Sequence, residues 1–316
     1  MRSKENLIFA KKHTFLWNIR RYKLLYLLIL PTIVLYLIYN YAPMFGIIIA
    51  FQDYKPHLGL AGMFSEATWV GLKHIQNFMS SMYFGRLMRN TIRISLLKIL
   101  FGFPAPIILA LFLNEIRRPM LKKITQTISY LPHFLSWVVL SGLLTSLLST
   151  TNGTVNYIIT LLGGNPINFM TDKTNIIWVL VFSSVWKGIG WGSIIYLASL
   201  ANVDPQLYES ALIDGATRFQ QMRYISLPSL YGLISIQFIL NMGGILSAGF
   251  DQVLLLYNDL VLETADIIDT YVYRMGIESA KYSYSSAVGL FQTLVGFSLM
   301  MFANWGAKKM GQESLI

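Results

Sequence analysis

The sequence has no cysteine and only four histidines, His13, His57, His74 and His133, in 316 residues. Disulfides, thiolate metal sites and thiol catalysis are excluded, and the histidines lie too far apart in sequence to suggest a metal site. Charge is scarce as well: 13% of residues are Asp, Glu, Lys or Arg, against about 25% in ordinary soluble domains. With 54% hydrophobic residues, this composition excludes a soluble enzyme, a disordered chain and a nucleic-acid-binding domain. Acids are the scarcest charges, 15 against 25 Lys and Arg, for a net charge of +10. In so apolar a chain the basic excess is what cytoplasmic loops of membrane proteins collect. Motifs for zinc proteolysis (H-E-x-x-H) and serine hydrolysis (G-x-S-x-G) are absent, which leaves no catalytic set for a membrane-embedded enzyme.

What is present is a series of long charge-poor windows. About 20 apolar residues cross a bilayer core of about 30 Å as a helix. The windows predict an all-α, polytopic membrane protein with six transmembrane helices at about 24–45, 90–113, 124–148, 175–200, 229–252 and 283–305. The second must borrow Arg93 and Lys98 to reach its length, and Lys187 interrupts the fourth. Gly, Asn, Thr and Pro punctuate 149–166 like a loop, so one span and a short interfacial segment are expected there. The first apolar run far exceeds the 7–15 residues of a signal-peptide core and is read as an uncleaved span.

Lys and Arg counts set the orientation. With both termini cytoplasmic, fifteen fall inside, from the tail through Arg117, Arg118, Lys122, Lys123, Arg218, Arg223, Lys308 and Lys309, against seven in the outer loops: Lys55, Lys73, Arg86, Arg89, Lys173, Arg274 and Lys281. The expected organisation is an interfacial segment at 1–23, with the Phe15 to Lys23 aromatic–cationic collar, a six-helix domain at 24–305 and a cytoplasmic tail at 306–316. Asp259, Glu263, Asp266, Asp269 and Glu278 crowd an outer loop that suits either a docking protein or a solvated face.

The cytoplasmic segment 202–228 carries the most information. Asp204 is a good N-cap and Pro205 suits a first helical turn, while Gly215 is placed to end that helix. Ala211, Gly215 and Ala216 are small enough to let another protein approach. Pro228 stands where the chain re-enters the membrane. A helix–turn–helix at this place reads as a docking element.

Glu209-Ser210-Ala211, three residues, Gly215, nine residues, then Ile225-x-Leu227-Pro228 resembles the EAA motif of ABC-importer permeases, with Ser210 replacing the first Ala. The resemblance implies a type I ABC-importer permease fold in which Glu209, Ser210, Ala211, Asp214, Gly215, Ala216, Ile225, Leu227 and Pro228 couple the spans to an ATP-hydrolysing subunit. Gly46 to Pro56, Val70 to His74, Trp186 to Trp191, Phe250 to Gln252 and Asp269 to Arg274 are similar to the polysaccharide and complex-oligosaccharide branch of sugar permeases, such as lipo-oligosaccharide permeases. Unlike the long maltose-type permease, this chain has no large inserted outer domain. The resemblance further implies a second homologous permease subunit, two ABC ATPase subunits, an extracellular substrate-binding lipoprotein, an oligosaccharide substrate and residence in a bacterial plasma membrane, by analogy that of a Gram-positive cell. The chain lacks a Walker A pattern, so no cofactor is expected on it, and ATP and Mg would belong to the partner subunits.

Charges inside spans usually face a bundle interior or a water-filled cavity. Lys187 and Trp191 share a helix face, and Trp186, Lys187, Gly188 and Trp191 are candidates for the substrate path, as are Asn241 and Gly244 on the fifth span. Packing against other helices is the competing reading for the small residues and the fifth span, and pairing with a carboxylate of a partner chain is the competing reading for Lys187. A preference of Lys187 for uronate-bearing glycans is a sharper form of the first reading. Tyr130, His133 and Trp137 are expected on one face of the third span, and Arg93 and Lys98 are expected to be interfacial or interhelical. An ion-coupled secondary transporter is the alternative function, but it needs intramembrane carboxylates, and the spans hold none apart from Asp251 at an outer edge.

Overall fold

The computed structural model describes residues 21–311. Arg2, Lys4, Lys11, Lys12, Arg20, the start of the aromatic–cationic collar and residues 312–316 lie outside the described residues. Seventeen α-helices, extended in places by short 3-10 and π-helical segments such as Leu37–Tyr41 and Ala42–Phe51, account for most of the described residues. They are α1 (Lys23–Tyr36), α2 (Gly59–Ser65), α3 (Lys73–Met79), α4 (Phe84–Gly102), α5 (Pro104–Glu115), α6 (Pro119–Tyr130), α7 (Trp137–Leu147), α8 (Thr154–Leu161), α9 (Asn175–Leu200), α10 (Pro205–Ile213), α11 (Arg218–Gln221), α12 (Leu227–Ser229), α13 (Tyr231–Gly243), α14 (Phe250–Leu256), α15 (Leu262–Ala265), α16 (Ile268–Tyr273) and α17 (Tyr282–Lys309). One two-residue antiparallel ribbon, β1 (Gln52–Asp53) with β2 (Thr68–Trp69), pairs Gln52 with Trp69.

Four helical stretches among the described residues are long and apolar enough to cross a membrane: Lys23–Phe51, Phe84–Glu115, Asn175–Leu200 and Tyr282–Lys309. Two more candidates are bent pairs, Pro119–Phe134 with Trp137–Leu147 at 103° and Arg218–Ser229 with Tyr231–Gly243 at 59°. The fourth expected span, 175–200, matches α9. The second is longer than expected, because Arg86 and Arg89, assigned by sequence to an outer loop, lie in the first turns of α4.

The third span departs from a straight helix. Leu131–Phe134 forms a tight turn containing Pro132, Leu135 is extended, and Ser136 restarts the helix by accepting a hydrogen bond from the Val139 N–H at 3.3 Å. Proline removes a donor and a capping serine offers the backbone a new start. Tyr130, His133 and Trp137 therefore do not share a helix face. The fifth span ends at Gly243, not at 252, and the chain turns through Gly249 at φ +90 before α14 begins.

The helices meet where side chains are smallest, as expected for membrane packing. A Cβ on Gly190 of α9 would fall 2.0 Å from the Ser129 carbonyl oxygen of α6, and one on Gly192 would fall 2.9 Å from Pro106 of α5. One apolar cluster joins Ile94, Ile176, Leu180, Val253 and Ile267, and a second joins Ile107, Ala110, Tyr196, Leu200 and Leu230. The helix α1, by contrast, buries no residue in the chain itself.

Candidate coupling loop and membrane cavity

The 202–228 segment folds as its sequence signals suggest, through local hydrogen bonds. The Asp204 carboxylate accepts from the Gln206 N–H at 2.9 Å, and Pro205 opens α10. At the other end Gly215 has φ +77. The Ala216 N–H donates to the Ala211 carbonyl at 2.8 Å and the Gly215 N–H to that of Leu212 at 3.1 Å. This is the Schellman closure, which needs a left-handed residue that glycine supplies without steric cost. Thr217 then caps α11 reciprocally with Gln220.

One tie fixes this hairpin to the membrane re-entry and a second closes it internally. The Tyr208 hydroxyl lies 2.9 Å from that of Ser226, and Gln221 Nε2, buried, donates to the Ala216 carbonyl at 3.3 Å. What remains outward is apolar: Leu207, Leu212, Ile213 and Phe219 are exposed, Ile213 to 87%. Glu209, Ser210, Asp214, Gly215 and Pro228 are also exposed, and Ala211, Ala216, Ile225 and Leu227 are half-buried. A rigid loop with an uncovered apolar surface fits a protein partner.

Two adjoining cavities open between the helices. The first, about 540 Å³, is lined by residues including Ser95, Lys98, Trp137, Gly188, Asn241, Gly244 and Gln252. The second, about 590 Å³, is lined by residues including Trp191, Gln237 and Asn241, and shares Gly102, Phe103 and Pro106 with the first.

The family model for the binding-protein-dependent transport system inner membrane component matches residues 102–312. The chain belongs to this family. Protein LplB of Bacillus subtilis (strain 168) is 45% identical over 297 residues, 94% of this chain and 92% of that one. The polygalacturonan/rhamnogalacturonan transport system permease protein YteP of the same organism is 43% identical, over 96% of this chain and 94% of that one. A crystallised bacterial ABC transporter involved in the import of the acidic polysaccharide alginate has a chain that matches with TM-score 0.84 at 38% identity, covering 94% of this chain and 99% of its own. A second alginate transporter structure, in complex with its alginate pentasaccharide-bound periplasmic protein, matches with TM-score 0.85 at 37% identity, covering 96% and 100%. The fold is that of an ABC-importer permease.

Of the path residues named from the sequence, the permease brings Gly188, Asn241 and Gly244 to the first cavity and Trp191 and Asn241 to the second. Trp186 and Lys187 line neither. The Lys187 ammonium instead donates to the carbonyls of His133 at 2.9 Å, Pro132 at 3.5 Å and Leu135, at the break between α6 and α7. It also lies 5.5 Å from the Trp137 ring centroid, so it supports the ring that the first cavity exposes. Trp191 stacks on His133 at 4.5 Å with the rings 1° from parallel.

Sequence reasoning missed Lys98 as a cavity residue. Its ammonium donates to the Ala248 carbonyl at 2.6 Å and to Gln252 Oε1 at 2.5 Å. Gln252 is itself fixed by donating to the Leu180 carbonyl at 2.8 Å and to Ser183 Oγ at 2.7 Å. A Cβ on Gly249 would sit 2.8 Å from the ammonium, so that glycine supplies both the left-handed turn and the space. A charge falling mid-helix was the available signal; its partners lie 150 residues away.

Proposed function

We propose that this permease is the membrane subunit of an ATP-driven importer of oligosaccharides derived from acidic polysaccharides. The observation that carries the reading is the 202–228 loop. Its Schellman-closed, doubly tied hairpin presents an apolar surface, and it belongs to a chain that matches polysaccharide-transport permeases almost end to end. Two ATPase subunits would seat on Leu207 to Phe219, one on this chain and one on a second, homologous permease. A substrate-binding lipoprotein would deliver the sugar from outside. Six spans with both termini cytoplasmic are consistent with this arrangement, each bent pair counting as one span. A bacterial plasma membrane, crossed several times, is the expected location.

In this scheme the chain hydrolyses nothing. ATP and Mg are bound by the partner subunits, and their closure pushes Glu209, Ala211 and Gly215. Because Gln221 holds the hairpin closed on Ala216 and Tyr208 ties it to Ser226, the push would reach α13 through Ile225, Leu227 and Pro228. There Asn241 and Gly244 face the first cavity, so its access can change sides.

Gly215→Asp should leave membrane insertion intact while abolishing uptake or assembly with the ATPase; normal uptake would count heavily against the coupling role. In proteoliposomes loaded with ATP, uptake should persist when an ionophore collapses ion gradients. Uptake driven by a gradient without ATP would establish the ion-coupled alternative instead.

A further inference from the structure

Lys98 is a cation without a counter-ion. Among the described residues the ion pairs are Arg86 and Arg274 with Asp266, and Lys173 with Glu263; no carboxylate lies within 4.0 Å of Lys98. An ammonium has three donors, and Lys98 directs two of them at neutral oxygens, those of Ala248 and Gln252. Holding an unpaired charge at such depth is costly, and intramembrane charges that persist generally pair or line a path for polar cargo.

The surroundings aim the charge instead of neutralising it. Gln252 is locked by Leu180 and Ser183, so its oxygen cannot turn away. Gly249 leaves the ammonium room that any Cβ would fill. The remaining donor is left for the cavity of about 540 Å³, whose wall also holds the Trp137 ring and the polar side chains of Ser95, Ser184, Ser247 and Asn241. An indole face against a sugar ring, hydroxyls and an amide for its hydroxyls, and one cation make up a site for a glycan bearing a carboxylate. The other cations of the second and fourth spans do not compete. Lys187 is held by three backbone carbonyls, Arg86 faces Asp266, and none of Arg86, Arg89 and Arg93 is among the residues lining this cavity.

We infer that Lys98 is the residue that recognises acidic sugars in transit, forming a charge-assisted hydrogen bond to a uronate carboxylate in the cavity between α4, α9 and α13. The inference rests on the import reading above and adds to it the residue that selects for charge.

The test uses the assembled transporter, with trigalacturonate, its methyl ester and a neutral trisaccharide of glucose as probes. Lys98→Met should weaken trigalacturonate binding about tenfold or more, the loss expected of one charge-assisted contact, and leave the methyl ester within twofold. Equal changes for acid and ester, or none, would overturn the role of Lys98 while leaving sugar import standing. A wild-type transporter that binds none of the three probes would overturn the import reading itself. A second measurement needs no variant. Carbodiimide activation of bound trigalacturonate should form an amide on the peptide containing Lys98, read by mass spectrometry. Modification confined to other lysines would refute the assignment even if Lys98→Met failed to assemble.

Discussion

Arg274 grips Asp266 at two points, Nη1 to Oδ1 at 2.9 Å and Nη2 to Oδ2 at 2.6 Å, with the carboxylate fully buried. Thr270 Oγ1 donates to the same carboxylate at 2.8 Å, and Arg86 of α4 stands 3.6 Å away. Asn90, also on α4, donates to the carbonyls of Glu263 and Asp266. The segment 262–274 is thereby bolted to the second span.

Removing one partner of such a pair strands the other charge, at a cost of about 3–5 kcal/mol. Asp266→Asn and Arg274→Met should each lower the melting temperature in detergent sharply, and the double variant by less than the sum. The Lys173–Glu263 pair is the contrast, at 2.5 Å but more than half exposed on both sides. Water already solvates it, so Lys173→Met should leave the melting temperature unchanged.

Gly190→Ala should prevent α9 from seating on α6. Its Cβ would overlap the Ser129 carbonyl, and both contacts are backbone, so neither side can rotate away. We expect a loss at or above the upper end of the about 1–3 kcal/mol typical of overpacked cores, seen as lost monodisperse protein on size exclusion. Gly142→Ala on α7, with nothing within 4 Å of the new atom, should be tolerated.

Tyr208→Phe removes one hydroxyl bond to Ser226, worth about 0.5–1.5 kcal/mol. Stability should barely move, while sugar-stimulated ATP hydrolysis should fall. Ser226→Ala should give the same loss, and the double variant no more, if the two hydroxyls act as one link.

Asp269 gives a dependence on pH. Burial pushes its carboxyl above the ordinary value of 3.8, against the opposing pull of hydrogen bonds from Gln292 and Ser247. A carboxyl raised on folding favours the folded state below its unfolded value, and that favour is lost as pH rises through the folded value. Asp269→Asn keeps an acceptor for Gln292 Nε2, now 2.8 Å from Oδ1. The variant should melt higher than wild type at pH 7.5, with the gap closing toward pH 4. A lower melting temperature at pH 7.5 would contradict this.

The parts legible in the sequence are those with local causes. Asp204, Pro205 and Gly215 frame α10 because capping involves residues two to five positions apart, and α9 spans the window that composition marks. At the break at 131–136 Pro132 and Ser136 were local signals, but the bond from Lys187 that satisfies its carbonyls comes more than 50 residues later. Lys98 read as interfacial or interhelical, not as a cavity residue, because Gly249 and Gln252, which shape its pocket, come about 150 residues later. Asp266 looked like one more loop acid until Arg86 and Arg274 closed around it.

The Lys187 bond set has a mechanical side. Sliding α9 by one turn relative to the α6–α7 break would take the ammonium away from the His133, Pro132 and Leu135 carbonyls at once, leaving Pro132 only its bond from the Leu135 N–H. Near the Gly190–Ser129 contact there is no slack to absorb that movement. If the chain alternates access as proposed, the two elements would travel as a single lever, and the hinge would lie elsewhere, with the Gly243–Gly249 turn one place for it.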